Sequence, residues 1–244
     1  MTEILLAIDT ATENCSAALQ VGDRVYQRVA ESPREHSQRL LPFVQELLSE
    51  ADISLQQLQG LVVGSGPGSF TGVRIAISIA QGLAFSQQLP VYPVNSLQTL
   101  AQHAIRSHSG KDGAAHPAII LSSIDARMAE IYYALYENIN GIAVPLTEPA
   151  VAKPGPELFQ QPLAQLQIDQ DTVIAGAGTG WDSYHDLLAQ SLPGPVNLHP
   201  DCRLPEAKDM LSLVQAKQVQ AISASELEPL YVRNEVTWKK LPGR

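Results

Sequence analysis

Residues 62–72 read Val62-Val63-Gly64-Ser65-Gly66-Pro67-Gly68-Ser69-Phe70-Thr71-Gly72, an apolar pair that breaks on alternating glycines. A strand ending on such a run, with a helix starting just beyond it, lets backbone N–H groups approach an anion at the helix N-terminus. The helix expected over residues 73–85 is apolar almost all round and must be covered on more than one side. Along it Gly72, Ala76, Ala80 and Ala84 fall four apart, beside Val73. This ridge of small residues serves either core packing or the close approach of a second helix. The run lacks the Lys-Ser/Thr of a P-loop, and its glycine spacing is not that of a dinucleotide fingerprint. Two readings remain: Gly66 and Gly68 are candidate nucleotide-binding positions, or Gly66-Pro67-Gly68 shapes a tight turn and Gly72 clears space for packing.

Upstream of this run, residues 4–8 read as a buried strand, followed by strands over 16–21 and 25–29 joined at Gly22-Asp23, a pair suited to a hairpin. Asp9-Thr10, just past the first strand, stands where actin-like ATPases place a carboxylate for the metal of bound nucleotide. The same position also suits a plain turn former. From Pro33, the apolar residues Leu40, Leu41, Val44, Leu47, Leu48 and Ala51 recur at helical spacing between polar neighbours, so this helix is strongly amphipathic.

The punctuation then repeats. Ile8-Asp9 is followed ten residues on by Ala18-Leu19, and Ile124-Asp125 by Ala134-Leu135. Each pair leads to a second glycine run, residues 62–68 in the first case and 174–180 in the second, which points to a duplication. Strands are expected over 118–124, 130–136 and 172–175, and helices over 182–190 and 207–220, with a Pro-rich connection over 145–162. The implied fold class is α/β, a duplicated actin-like (ASKHA, ribonuclease-H-like) fold of two half-domains with ligands in the cleft between them. The first half spans 1–105 and is joined by the C-terminal segment 221–244; the second, more divergent half spans 106–220.

Composition narrows the function classes. The chain has 244 residues, 45% hydrophobic and 17% charged, enough for a sizeable core. No apolar run reaches the roughly 20 residues of a membrane span, and no signal peptide precedes the first strand. Cys15 and Cys202 are too few for a disulfide framework, so the expected compartment is the reducing cytoplasm. A net charge of −9 argues against this surface holding nucleic acid unaided, so any link to nucleic acid must run through partners. His36 opens the amphipathic helix and reads as a packed or capping residue. His103, His108, His116, His185 and His199 show no metal-ligand spacing, and no Gly-x-Ser-x-Gly nucleophile elbow occurs. Neither a catalytic residue nor a metal site is assigned.

Several stretches, in order along the chain, resemble the TsaB family. They are residues 4–19 with Asp9-Thr10-Ala11-Thr12, then His36-Ser37-Gln38-Arg39-Leu40-Leu41-Pro42, Gly66-Pro67-Gly68-Ser69-Phe70-Thr71-Gly72-Val73-Arg74, Asp125-Ala126-Arg127, and Tyr231-Val232-Arg233-Asn234-Glu235-Val236. The resemblance implies a non-catalytic subunit of the bacterial machinery that places threonylcarbamoyl on the adenosine 3′ of the anticodon in tRNAs reading A-starting codons. Its implied partners are TsaD, the catalytic relative, and TsaE, an ATPase. Where TsaD carries a metal-binding His-x-x-x-His motif, this chain reads Pro93-Val94-Asn95-Ser96-Leu97-Gln98-Thr99-Leu100, with neither histidine. No intrinsic cofactor is expected, and ATP with Mg²⁺ enters through the complex. The resemblance also places the partner interface on the two helices of the first half, at Leu40, Leu41, Val44, Leu47, Leu48, Gly72, Val73, Ala76, Ala80 and Ala84. The isolated chain is expected to form a homodimer. Ser65 departs from the family, whose members often carry Arg there. Two rival readings are an ATP-dependent phosphotransferase or hydrolase acting through Asp9, and a metallopeptidase, against which the missing histidines argue.

Overall fold

The structure, a computed structural model, describes residues 3–108 and 117–232. The chain opens with three antiparallel strands, β1 (Ile4–Asp9), β2 (Asn14–Val21) and β3 (Arg24–Glu31). Gly22 turns the second hairpin at φ 60°, a value that carries little penalty without a Cβ. Helix α1 (His36–Glu50) follows and buries His36, Leu40, Val44 and Leu47, one stripe at three-to-four spacing. Strand β4 (Gly60–Gly66) then joins β1 in parallel, α2 (Phe70–Gln87) returns across the sheet, and β5 (Val91–Asn95) completes it in the order β3-β2-β1-β4-β5. Helix α3 (Ser96–His108) ends this half.

The second half repeats the plan. Strands β6 (Ile119–Arg127), β7 (Glu130–Ile139) and β8 (Ile142–Pro145) form a meander, with β9 (Ala150–Ala152) pairing to β7. After α4 (Gln160–Gln165) come β10 (Ile174–Ala177), α5 (Thr179–Gln190), β11 (Val196–Leu198) and α6 (Ala207–Gln215). The second sheet runs β11-β10-β6-β7-β8, so β6, β7, β8, β10 and β11 stand where β1, β2, β3, β4 and β5 stand in the first. This is the duplicated, actin-like α/β architecture. The two glycine runs also correspond in backbone, with Gly66 at φ 99° and Gly178 at φ 107°.

The layers are helix, sheet, helix, sheet, helix. Helices α1 and α2 cover the outer face of the first sheet, burying Leu6, Ile8, Leu19, Leu61 and Val63 among them. Helices α4 and α5 cover the outer face of the second, around Phe159, Trp181 and Leu188. Helices α3 and α6 fill the space between the sheets, where Leu97, Leu100 and Ile105 meet Met210, Leu211 and Val214. Their placement is crossed: α3 lies mainly on the strands of the second sheet, and α6 mainly on β1, β2 and β4 of the first. The C-terminal segment comes back to the first half, exchanging two backbone hydrogen bonds between Ile222 and Val91 and burying Leu227 against α2.

Several elements differ from the sequence reading, β8 and β11 among them. Helix α3 was not expected, although Leu97, Leu100, Ala101, Ala104 and Ile105 stand at helical spacing between polar neighbours. Gln98 and Gln102 are buried and bond the β8 region, with Gln98 Nε2 donating to Ala143 O and Gln102 donating to Gly141 O while accepting from Ala143 N, each at 2.9 Å. The Pro-rich connection holds β9 and α4. Helix α6 stops at Gln215, with Lys217 in a left-handed turn at φ 57°. Among the described residues no helix is long and apolar enough to cross a membrane.

Candidate functional site

A cleft of about 1010 Å³ opens between the halves. Its first wall comes from the β1–β2 turn (Ala11, Thr12, Glu13), the start of α1 (His36, Ser37) and the start of α2 (Gly68 to Gly72); its second from Asp125, Ala126 and Arg127, the start of α5, and Arg203. Ion pairs cross and line it. Arg127 reaches Glu13 of the opposite half at 3.4 Å and Asp125 at 3.5 Å, and Arg203 meets Asp182 at 2.8 Å. These pairs are exposed and contribute little stability individually.

The glycine run is filled by the chain's own atoms. A Cβ on Gly68 would meet Ala11 O and one on Gly72 would meet Thr10 O, so both glycines exist to let α2 sit against the β1–β2 turn. The turn is closed by bonds from Ser69 N to Ala11 O at 2.7 Å and from Thr10 Oγ1 to Gly72 O at 2.7 Å. Ser69 caps α2 by accepting from Gly72 N at 3.3 Å. The Gly66-Pro67 bond is cis, and Leu230 N donates to Ser65 O at 2.8 Å. The Ser65 hydroxyl is buried and donates to Val94 O, so Ser65 presents no side chain to the cleft.

Asp9 and Thr10 are beneath this turn, with 1% and 0% of their surface accessible, and neither lines the cleft. Gly64 leaves room for the Asp9 carboxyl, since a Cβ there would strike its Oδ1. Burial pushes the Asp9 pKa up to about 6, with the N–H groups of Ala11 and Thr10 pulling back. A carboxyl sealed beneath the turn and absent from the cleft lining is a poor ligand for a metal–nucleotide bound there. Of the four candidate nucleotide positions only Gly68 faces the cleft. The equivalent Asp125 does line it, repeats the same turn by accepting from Arg127 N at 2.8 Å, and is neutralised by that arginine.

The expected interface residues divide in the same way. Leu40, Val44, Leu47, Gly72, Val73, Ala76, Ala80 and Ala84 are buried within the chain itself, so the four-spaced ridge on α2 packs on its own sheet and cannot be a surface for a partner. The outward face of the same helices carries Leu41, 42% exposed, Leu48, partly buried, and Phe85, 84% exposed. Sequence periodicity marks an apolar stripe but not which of its edges is covered.

Of the histidines, His36 is packed in the cleft wall, and His185 is exposed beside Asp186. His108 and His199 meet edge to face at 5.1 Å, and His116 lies outside the described residues. His103, Glu206 and Asp209 bring donor atoms within 4.8 Å of one another between α3 and α6. The chain already neutralises this group: Arg106 grips Asp209 at 2.5 and 3.1 Å, and Lys208 meets Glu206 at 3.2 Å. It reads as an ion network clamping the two inner helices together. A feature that sequence reasoning missed is a stack at the cleft edge in which Arg74 lies over Phe70 and against Tyr231. The four-residue spacing of Phe70 and Arg74 hints at the first contact, but nothing local signals Tyr231, 157 positions away.

The family description "TsaD: tRNA N6-adenosine threonylcarbamoyltransferase" matches residues 28–239. The protein of Escherichia coli named tRNA threonylcarbamoyladenosine biosynthesis protein TsaB is 44% identical over 98% of this chain and 99% of its own length. Its Haemophilus influenzae counterpart is 39% identical over 98% of both. The solved structure of YeaZ from Pseudomonas aeruginosa superposes with a TM-score of 0.81 at 37% identity, covering 94% of this chain and 99% of that one. With a fold that matches along nearly its whole length and relatives of this identity, the chain belongs to the TsaB family.

Proposed function

We propose that this chain acts in the synthesis of N6-threonylcarbamoyladenosine on tRNA as a non-catalytic cytoplasmic scaffold that binds and organises TsaD and, with it, TsaE. The near full-length similarity to proteins named for that biosynthesis carries the reading. The internal filling of the glycine turn and the burial of Asp9 support the non-catalytic part. ATP and Mg²⁺ then act through the complex, and tRNA is held by the assembly. The partner surface is the outward face of α1 and α2, with Leu41, Leu48 and Phe85, and the isolated chain uses the same face to form a homodimer.

Sizing chromatography with TsaD tests this. Leu41→Arg should fold normally and lose co-elution, because the side chain already faces solvent. Ala80→Arg should unfold the chain, because an unpaired charge inside the α2–sheet contact costs several kcal/mol. If Leu41→Arg co-elutes like the parent, the assigned face is wrong; if the parent itself fails to co-elute, the scaffold reading falls. The large cleft between the halves favours one alternative, an ATP-dependent phosphotransferase or hydrolase. Turnover of ATP by the isolated chain with Mg²⁺ would establish it in place of the scaffold.

A further inference from the structure

Helices α1 and α2 both start on the first wall of the cleft, at His36-Ser37 and at Phe70-Thr71-Gly72. At 15 and 18 residues they are long enough to carry a positive end there, and neither has an acidic residue in its first turn. Their leading donors are only partly used. In α2, Gly72 N and Val73 N donate to Ser69 Oγ and Ser69 O, which leaves the N–H groups of Phe70 and Thr71. In α1, which has no side-chain cap, Gln38 N and Arg39 N donate to Glu35 O, which leaves those of His36 and Ser37. The β1–β2 turn draws the two starts together, since Ser69 N donates to Ala11 O at 2.7 Å and Ser32 N to Glu13 O at 3.0 Å.

A helix end alone is answered by water. On this wall two buried side chains are unanswered as well. Thr12, in the β1–β2 turn, and His36, at the first position of α1, keep 6% and 7% of their surface accessible, and Thr12 Oγ1 and His36 Nε2 have no hydrogen-bond partner. Both residues line the cleft. Polar atoms so buried cost free energy until something bonds them, and each of these can donate. Arg34, lining the cleft from the β3–α1 turn, forms no ion pair among the described residues. The acids on this wall are Glu13 and Glu31. Arg127 crosses the cleft to Glu13, and Arg203, bonded to Asp182, is held further in its charged form by Glu31 and Glu13. The second wall thus answers the acids of the first and leaves its donors free. The start of α5 adds nothing to the set, because Asp182 in its first turn offsets its positive end.

We propose that Thr12, Arg34, His36 and the N–H groups that open α1 and α2 form a binding site for a phosphate-class oxyanion, held without a metal ion. The anion bonds the Thr12 hydroxyl and His36 Nε2, lies at the positive ends of both helices, and is balanced by Arg34. Asp9, the candidate carboxylate for a metal–nucleotide, is sealed beneath the turn and takes no part. The site needs neither partner of the scaffold and stands or falls apart from that reading.

The test is calorimetric titration of the isolated chain with inorganic phosphate, free of Mg²⁺ and at an ionic strength held constant with chloride. Thr12→Val replaces the hydroxyl with a methyl group and should weaken phosphate about tenfold, the loss expected for one hydrogen bond to a charged group. Its thermal midpoint without phosphate should equal or exceed the parent's, because the hydroxyl removed had no partner, so lost binding is not lost folding. Arg34→Gln should weaken phosphate several-fold and make its affinity less sensitive to salt. Arg39→Gln, on α1 but outside the cleft, should bind like the parent. Absence of binding by the parent, equal affinity in Thr12→Val, or an equal loss in Arg39→Gln overturns the proposal. So does a lowered midpoint in Thr12→Val, which would give the hydroxyl a structural bond. Equal affinity for acetate overturns the assignment to phosphate, and an absolute need for Mg²⁺ would return the cleft to a metal–nucleotide.

Discussion

The Asp9→Asn variant should lose a pH dependence that the parent protein carries. The Asp9 carboxyl is almost wholly buried, and its pKa rises from 3.8 to about 6 on folding, chiefly from desolvation. Between those values the folded chain keeps a proton that the unfolded chain releases. Stability is therefore fully present below pH 3.8 and falls as pH rises through 6, by about 3 kcal/mol in all at ~1.4 kcal/mol per unit of pKa. Asparagine cannot ionise, so its contribution is flat. Urea unfolding of both proteins at pH 5 and pH 7.5 isolates the effect, because any constant cost of the substitution, such as an altered bond to Ala11 N, cancels in the comparison. Over that interval the parent should lose about 1.4 kcal/mol relative to the variant. Parallel stabilities at the two pH values would refute the reasoning.

Three further outcomes are expected. Gly72→Ala sets a Cβ against Thr10 O, and the resulting displacement of α2 should cost about 1–3 kcal/mol, read as a lowered urea midpoint. Gln102→Leu leaves Ala143 N and Gly141 O without their side-chain partner, and thermal unfolding should show a loss of about 1–3 kcal/mol. Arg106→Met strips the buried Asp209 carboxylate of its main counter-ion; chemical denaturation should show a loss of about 2 kcal/mol at neutral pH, below the value for a fully buried pair because Arg106 is 38% exposed. That loss should shrink in acid as Asp209 takes up a proton.

Much of the fold was legible because its strands are short, apolar and punctuated. The matched spacings after Ile8-Asp9 and Ile124-Asp125 correspond to two sheets of the same strand order. Helix α1 was readable from a stripe that ends in charged neighbours, and α2 from its small-residue ridge. Helix α3 carries the same kind of stripe, Leu97, Leu100, Ala101, Ala104 and Ile105, and was passed over; what spacing does not show is that its polar side is buried too, with Gln98 and Gln102 bonded to the β8 region. The site was read less well for a related reason. Spacing identifies which residues share a helix face, whereas Leu40 and Leu41 differ only in which way that face turns, and that is fixed by the sheet beneath. Glycines next to a strand end likewise look the same whether they admit a phosphate or the carbonyl of Thr10.

The crossed placement of α3 and α6 has a consequence for synthesis on the ribosome. The inner face of the first sheet, with Leu5, Ala7, Ala18 and Val62, is made before the second sheet, but the helix that lies mainly on β1, β2 and β4 is translated only after it. At about 5–20 residues per second, nearly 200 residues separate β2 from α6, so that apolar face waits on the order of ten seconds or more for its cover. A nascent first half is thus a natural client for chaperones, and cutting the gene between the halves should give two insoluble fragments that become soluble only when made together.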